Sequence, residues 1–179
     1  YSMRALAFHE AIPGHHLQVA LNLENENLTL YRRFGYGTSA FSEGWALYAE
    51  RLALESGLAD DPYDKLGVLQ SELFRAVRLV VDTGIHFKRW TREEAMAYMK
   101  RVTGMSDTEV STEIERYIVW PGQACSYKVG MLKILELREK AKQEMGESFD
   151  IKDFHSAVLD QGQPPLFIVE DLVGKMLRK

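Results

Sequence analysis

The segment from Phe8 to Gln18 constrains this chain more than any other, because Pro13 and Gly14 stand between histidines that a metal would have to bring together. It reads Phe8-His9-Glu10-Ala11-Ile12-Pro13-Gly14-His15-His16-Leu17-Gln18 and holds three of the five histidines. In the HExxH arrangement two histidines one helical turn apart bind zinc, and the glutamate beside the first acts as a base on water. Here the next histidines come six and seven residues after His9. At about 100° and 1.5 Å per residue, an unbroken helix puts His15 on the far side from His9 and leaves His16 on the same side but ~10 Å away. Zinc requires ligand nitrogens about 3 to 4 Å apart. A straight helix therefore fails for both pairs. A break at Pro13-Gly14 is expected, since proline removes a helical hydrogen bond and glycine permits backbone angles closed to other residues. We read the motif as HExxH with a two-residue expansion, with His9 and His15 as metal ligands and His16 as the alternative to His15. The competing reading is a helix–helix turn whose imidazoles bond to local carbonyls.

A third ligand is expected from the stretch 41–52. Phe41, Trp45, Tyr48 and Leu52 recur at helical spacing and mark a buried stripe. Glu43 and Glu50 are seven residues apart and share a different face, from which either carboxylate can project inward. Glu43 follows His15 by 28 residues, enough for a turn and a return, and its neighbours Gly44 and Trp45 point to close packing. Against this stands the default for glutamate, a solvated helix surface.

The remaining periodicity is helical almost throughout. Asp61-Pro62 opens a helix in which Leu66, Leu69, Leu73, Val77 and Val80 are expected to form the apolar face up to Gly84. Thr91 and Glu94 form a capping box for a helix through Met99 that ends near Gly104. Ser106 or Asp107 starts another helix to Tyr117, broken at Pro121-Gly122, and an amphipathic stretch runs from Gln123 to Gly146. Asp150 caps a helix through Leu159, and Pro164-Pro165 precedes a last one toward Met176. No alternating β pattern persists, so the expected fold is an all-α helical bundle, with residues 1–179 forming one domain. In Asp82-Thr83-Gly84-Ile85-His86 the acid stands where it could orient the histidine along a helix; Gly84 ending the helix is the alternative.

Composition narrows the function. A net charge of −4 and a pI near 5.8 give no electrostatic case for nucleic acid. No run of eighteen apolar residues is present to span a membrane. The single cysteine, Cys125, excludes an internal disulfide framework and a cysteine-based zinc site, and leaves cytoplasm and periplasm both open. A di-metal carboxylate bundle is disfavoured because its Glu-x-x-His pairs are missing.

The strings HEAIPGHHLQ, SEGWALYAERL, VVDTGIHFKRWTREEA, ERYIVWPGQACSYKVG and FHSAVLDQGQPPL, in this order, resemble the C-terminal half of the domain-of-unknown-function 885 family. These are bacterial proteins regarded as zinc metallopeptidases, similar in turn to helical gluzincins such as angiotensin-converting enzyme, the thimet-type oligopeptidases and the Taq-type carboxypeptidases. The resemblance implies His9, His15 and Glu43 as Zn2+ ligands and Glu10 as general base. It lifts Tyr117 and Tyr127, otherwise core aromatics by spacing, into the site as donors to an oxyanion. It also implies a peptide substrate, with Arg116 or Lys128 pairing a substrate carboxylate and Gln123 and His86 as further substrate-binding residues. The alternative function is a non-catalytic helical interaction module whose histidines are structural. Because the chain enters its first motif within a helix, we read it as the C-terminal portion of a longer protein. Its apolar residues Phe8, Ile12, Tyr31, Phe34 and Tyr36 would then be exposed, or covered in a homodimer.

Overall fold

A computed structural model describes residues 2–35 and 37–178; Tyr36, one of the side chains expected at an exposed face, lies outside the described residues. All its regular structure is helical: α1 (Ser2–Glu10), α2 (His15–Glu24), α3 (Leu30–Phe34), α4 (Ser39–Glu55), α5 (Pro62–His86), α6 (Arg92–Thr103), α7 (Asp107–Val119), α8 (Gln123–Met145), α9 (Ile151–Leu159) and α10 (Leu166–Met176), with a single 3₁₀ turn at Gly146–Ser148. No described helix is long and apolar enough to cross a membrane.

Helix ends follow the short-range signals. Asp61 accepts from the Tyr63 amide ahead of Pro62, and Asp150 accepts from the Lys152 amide. Thr91 and Glu94 close a capping box, and Gly104 ends α6 in the left-handed region. Of the two candidates for the start of α7, Ser106 is the cap, and Glu109 completes a second capping box.

Helix α4 is the axis of the molecule. Phe41, Trp45, Ala46, Leu47, Tyr48, Ala49 and Ala53 are all buried, so it is enclosed on most sides rather than presenting one stripe. Its partner is α8, which it crosses at two glycines: a β-carbon on Gly44 would lie 2.5 Å from the Gly130 α-carbon, and one on Gly130 only 1.8 Å from the Ala40 carbonyl oxygen. One core joins Phe41, Trp45 and Tyr48 to Met131, Ile134 and Leu137 of α8, Phe154 and Val158 of α9 and Val169 of α10. A second core packs α5, α6 and α7 around Val77, Val81, Met99, Ile114 and Tyr117, with Ala124 at the start of α8. A third, smaller cluster of Ala5, Ala59 and Val68, with Phe8 against it, fastens α1 to α5.

Three expectations need correction. Of the aliphatic stripe on α5, Val77 alone is buried, whereas Leu66, Leu69, Leu73 and Val80 are 39 to 51% exposed. The face turned inward is about one residue, or ~100°, further round: Gly67, Val68, Val77, Arg78, Val81, Asp82 and Gly84. Its charges are satisfied there, Arg78 by Glu113 and Tyr117 and Asp82 by the Gly122 amide, so charged residues occupy the face that an aliphatic count assigns to solvent. Secondly, Gly84 does not end α5, which continues to His86; the glycine is needed because a β-carbon would lie 2.4 Å from the Trp90 ring. Thirdly, Asp82 does not orient His86. The carboxylate accepts from the Gly122 amide, and His86 Nε2 lies 2.8 Å from the Tyr117 carbonyl, so the two residues fasten α5 separately to α7 and the α7–α8 turn.

Candidate metal centre

Helix α1 stops at Glu10 and α2 starts at His15, so the Pro13-Gly14 break does what the histidine spacing requires. A β-carbon on Gly14 would sit 1.8 Å from the His9 carbonyl oxygen, which allows glycine alone to bring the start of α2 onto the end of α1. The Trp45 indole N–H donates to the Pro13 carbonyl at 2.9 Å and holds the turn against α4.

The result is a cluster. His9, His15 and Glu43 each offer a ligand atom, all within 4.8 Å of one another. Glu43 Oε2 lies 3.6 Å from His9 Nε2 and 3.3 Å from His15 Nε2, and the two imidazoles meet edge to face at 4.9 Å. His16, the alternative ligand, is exposed and does not join the cluster. Two metal–nitrogen bonds of ~2.0–2.1 Å at a tetrahedral angle separate their ligand atoms by about 3.4 Å, so the two spacings from Glu43 to the imidazoles fit zinc, and the set as a whole closes on an ion with side-chain adjustment.

Glu50, the other inward candidate on α4, takes a different part. Almost fully buried, it lies 2.8 Å from His9 Nδ1 and so directs Nε2 toward Glu43 and His15. Burial disfavours charge on both partners, and hydrogen bonding reverses it: contacts to Glu43 and Glu50 raise the His9 pKa above its ordinary value, while His15 and His9 hold the Glu43 carboxyl down at about 2. Glu43 is thus held in its charged, electron-pair-donating form.

The family model described as "Bacterial protein of unknown function (DUF885)" matches residues 1–173. This chain belongs to the DUF885 family. Two solved structures share its fold at high identity. A "putative lipoprotein" from Colwellia psychrerythraea is 52% identical over 99% of this DUF885 chain, with a TM-score of 0.95. A "putative lipoprotein of unknown function" from Shewanella oneidensis is 33% identical over 95% of it, with a TM-score of 0.87. The chain spans 30% and 31% of the lengths of those two proteins. No curated protein matches it.

Of the other residues singled out from the DUF885 sequence, Tyr127 stands nearest the cluster. Its ring stacks on His9 at 6.1 Å and 21°. Tyr117 is instead locked away: buried at 1% exposure, its hydroxyl donates to Glu113 and accepts from Arg78 Nε, and burial pushes its pKa well up. Lys128 is buried against Glu72 at 2.5 Å, and Arg116 leans on Glu113 at 3.6 Å. Gln123 sits at the start of α8, and His86 is exposed at the end of α5 against the Tyr117 carbonyl; neither belongs to the cluster. Glu10, the last residue of α1, is exposed beside His9. Sequence reasoning passed over Arg75, whose guanidinium lies 3.9 Å from Glu50 and over the Tyr127 ring at 5.7 Å. Its place on the inward face of α5 was hidden by the leucine stripe.

Proposed function

We propose that this DUF885 chain carries the catalytic centre of a zinc-dependent peptidase acting on short peptides. The observation that carries this reading is the convergence of His9, His15 and Glu43 within 4.8 Å, with the buried Glu50 behind His9. Two imidazoles and one carboxylate are a donor set of catalytic zinc sites, which keep one position open, and a carboxylate behind a ligand histidine fixes its tautomer and ring orientation. When bound, zinc supplies Lewis acidity toward a scissile carbonyl and toward water.

The protein groups then divide the remaining work. Glu10 takes a proton from the attacking water and delivers it to the departing amine nitrogen as the C–N bond breaks, leaving hydroxyl on the acyl carbon. Tyr127, beside His9, donates its hydroxyl proton as a hydrogen bond to the oxyanion; Tyr117 has no such role because its hydroxyl is committed to Glu113. Glu43 and Glu50 hold His15 and His9 in register. The lipoprotein description of the two similar proteins favours the cell envelope as the compartment.

Metal analysis of chelator-stripped, zinc-reloaded protein tests the reading. One zinc per chain, lost in His9→Ala and Glu43→Ala, is expected, together with peptide hydrolysis that Glu10→Gln abolishes while zinc remains. Protein that takes up no zinc is a helical module with structural histidines. Self-association belongs to the same proposal: Ile12, Tyr31 and Phe34 are 62 to 79% exposed, apolar side chains that a second copy would cover. Phe8 is half-buried in the α1–α5 cluster and takes no part in it. Light scattering is expected to give a dimer mass.

A further inference from the structure

A cleft of about 340 Å³ runs between α1, α5 and the α6–α7 connection, lined among others by Ser2, Leu6, Gln70, Ser71, Phe74 and Arg75. Ser2, Leu6 and His9 are spaced four and three apart, so the cleft follows the face of α1 that ends in the metal-site histidine. Arg75 joins the two places, lining the cleft and lying 3.9 Å from Glu50, which is itself 2.8 Å from His9.

Arg75 is under-used as a donor. A guanidinium carries five N–H groups. Nη1 bonds back to the Ser71 hydroxyl and, at 3.4 Å, to the Ser71 carbonyl; Nη2 is beyond hydrogen-bond reach of Glu50; Nε is buried with no partner. The acids around it are engaged elsewhere: Glu50 with His9, Glu43 with His9 and His15, and Glu109, which also lines the cleft, with the Ser106 amide and hydroxyl. Arg78, stacked 4.7 Å over the same Tyr127 ring, adds a second positive charge, with its Nε bonded to Tyr117 and its Nη2 to Glu113. Of the other basic side chains expected to hold a carboxylate, Lys128 is bonded to Glu72, and Arg116, 3.6 Å from Glu113, does not line this cleft.

We propose that Arg75 receives the free C-terminal carboxylate of a peptide lying in this cleft, so that the site removes one or two residues from the carboxyl end. The proposal rests on the zinc-peptidase reading. The chemistry fits, because a planar fork of donors beside an aromatic face binds carboxylate bidentately. The scale is compatible as well: Arg75 and His9 both approach the same Glu50 oxygen, at 3.9 and 2.8 Å, which keeps them within the span of two peptide residues at ~3.3–3.6 Å each.

The test compares acetyl-Ala-Ala-Phe with its C-terminal amide on the zinc-loaded Glu10→Gln protein by calorimetry. The free acid is expected to bind about 10- to 100-fold more tightly than the amide, the value of a charge-assisted hydrogen bond. That preference should collapse in Arg75→Gln and survive in part in Arg75→Lys, each checked for its helical circular dichroism. Should Arg75→Gln not fold, the acid-to-amide ratio with Arg75 intact, together with Arg75→Lys, decides. Equal binding of acid and amide, binding of neither, or a preference untouched by Arg75→Gln overturns the proposal. Zinc stoichiometry and cleavage of a peptide with both ends blocked are measured in parallel. If these persist while the acid preference is absent, the peptidase reading stands and the role of Arg75 falls; if no zinc is bound, both fall.

Discussion

His9 Nδ1 and Glu50 Oε1 lie 2.8 Å apart where α1 meets α4, and both side chains are almost fully buried. A carboxylate in that position accepts the Nδ1 proton, which leaves the Nε2 lone pair facing Glu43 and His15. The pair gives a histidine at the end of a helix a defined tautomer and direction.

Glu50→Ala is expected to weaken zinc binding by about 10- to 100-fold, as is typical of lost partners behind a metal ligand. It also leaves a buried imidazole N–H without an acceptor, which costs about 1–3 kcal/mol. Competition with a zinc-chelating dye measures the first effect and urea unfolding of the metal-free protein the second. An unchanged affinity would mean that Glu43 and His15 alone orient the site.

His15→Ala and His16→Ala should separate cleanly. The first removes a ligand and is expected to abolish stoichiometric zinc uptake. The second alters an exposed side chain and should change stability by no more than about 0.5 kcal/mol, with zinc binding intact. Loss of zinc in His16→Ala and retention in His15→Ala would reverse the assignment.

The metal-free and metal-bound proteins should respond to pH in opposite ways. The folded-state pKa of His9 lies above 6.5, so its ion pairs with Glu43 and Glu50 stabilise the metal-free fold fully below that pH and lose effect as pH rises through the folded value. Glu43 is depressed from 4.5 to about 2, so its contribution is present above 4.5 and lost as pH falls toward 2. The pair is therefore most stabilising in metal-free protein between about pH 4.5 and 6.5, whereas zinc must displace the His9 proton and binds more tightly as pH rises. Urea titrations at pH 5.5 and 8.5, with His9→Gln as reference, should show the wild-type advantage shrinking at the higher pH.

Gly130→Ala tests the crossing that carries Glu43. The added β-carbon would sit 1.8 Å from the Ala40 carbonyl oxygen and 2.6 Å from the Gly44 α-carbon, backbone atoms that yield only if α4 and α8 separate. A loss of about 1–3 kcal/mol or more is expected from such overpacking, with zinc affinity falling because Glu43 lies one residue from the contact. Thermal unfolding with zinc titration measures both. A variant as stable as the wild type would show that the two helices are not held so close.

What could be read directly from the sequence was local. Pro13 lacks an amide hydrogen and Gly14 lacks a β-carbon, so the break that turns His15 toward His9 is written within two residues. The caps at Asp61, Thr91 and Asp150 act over two or three residues, and the stripe from Phe41 to Tyr48 repeats at the helical period, so the helical class and most boundaries follow from near neighbours. Tertiary structure decided where each charge went. Glu43 and Glu50 occupy equivalent positions by period, and the arrival of α1 and α2 makes one a candidate ligand and the other its support. The buried face of α5 was chosen by Arg78 and Asp82 finding Glu113, Tyr117 and Gly122 some 35 to 40 residues away, which outweighed four exposed aliphatic side chains. A distant pairing with Glu72 likewise commits Lys128, while Arg75 keeps a buried Nε without a partner. A buried charge is stable only beside its partner, and the identity of that partner depends on which helices meet.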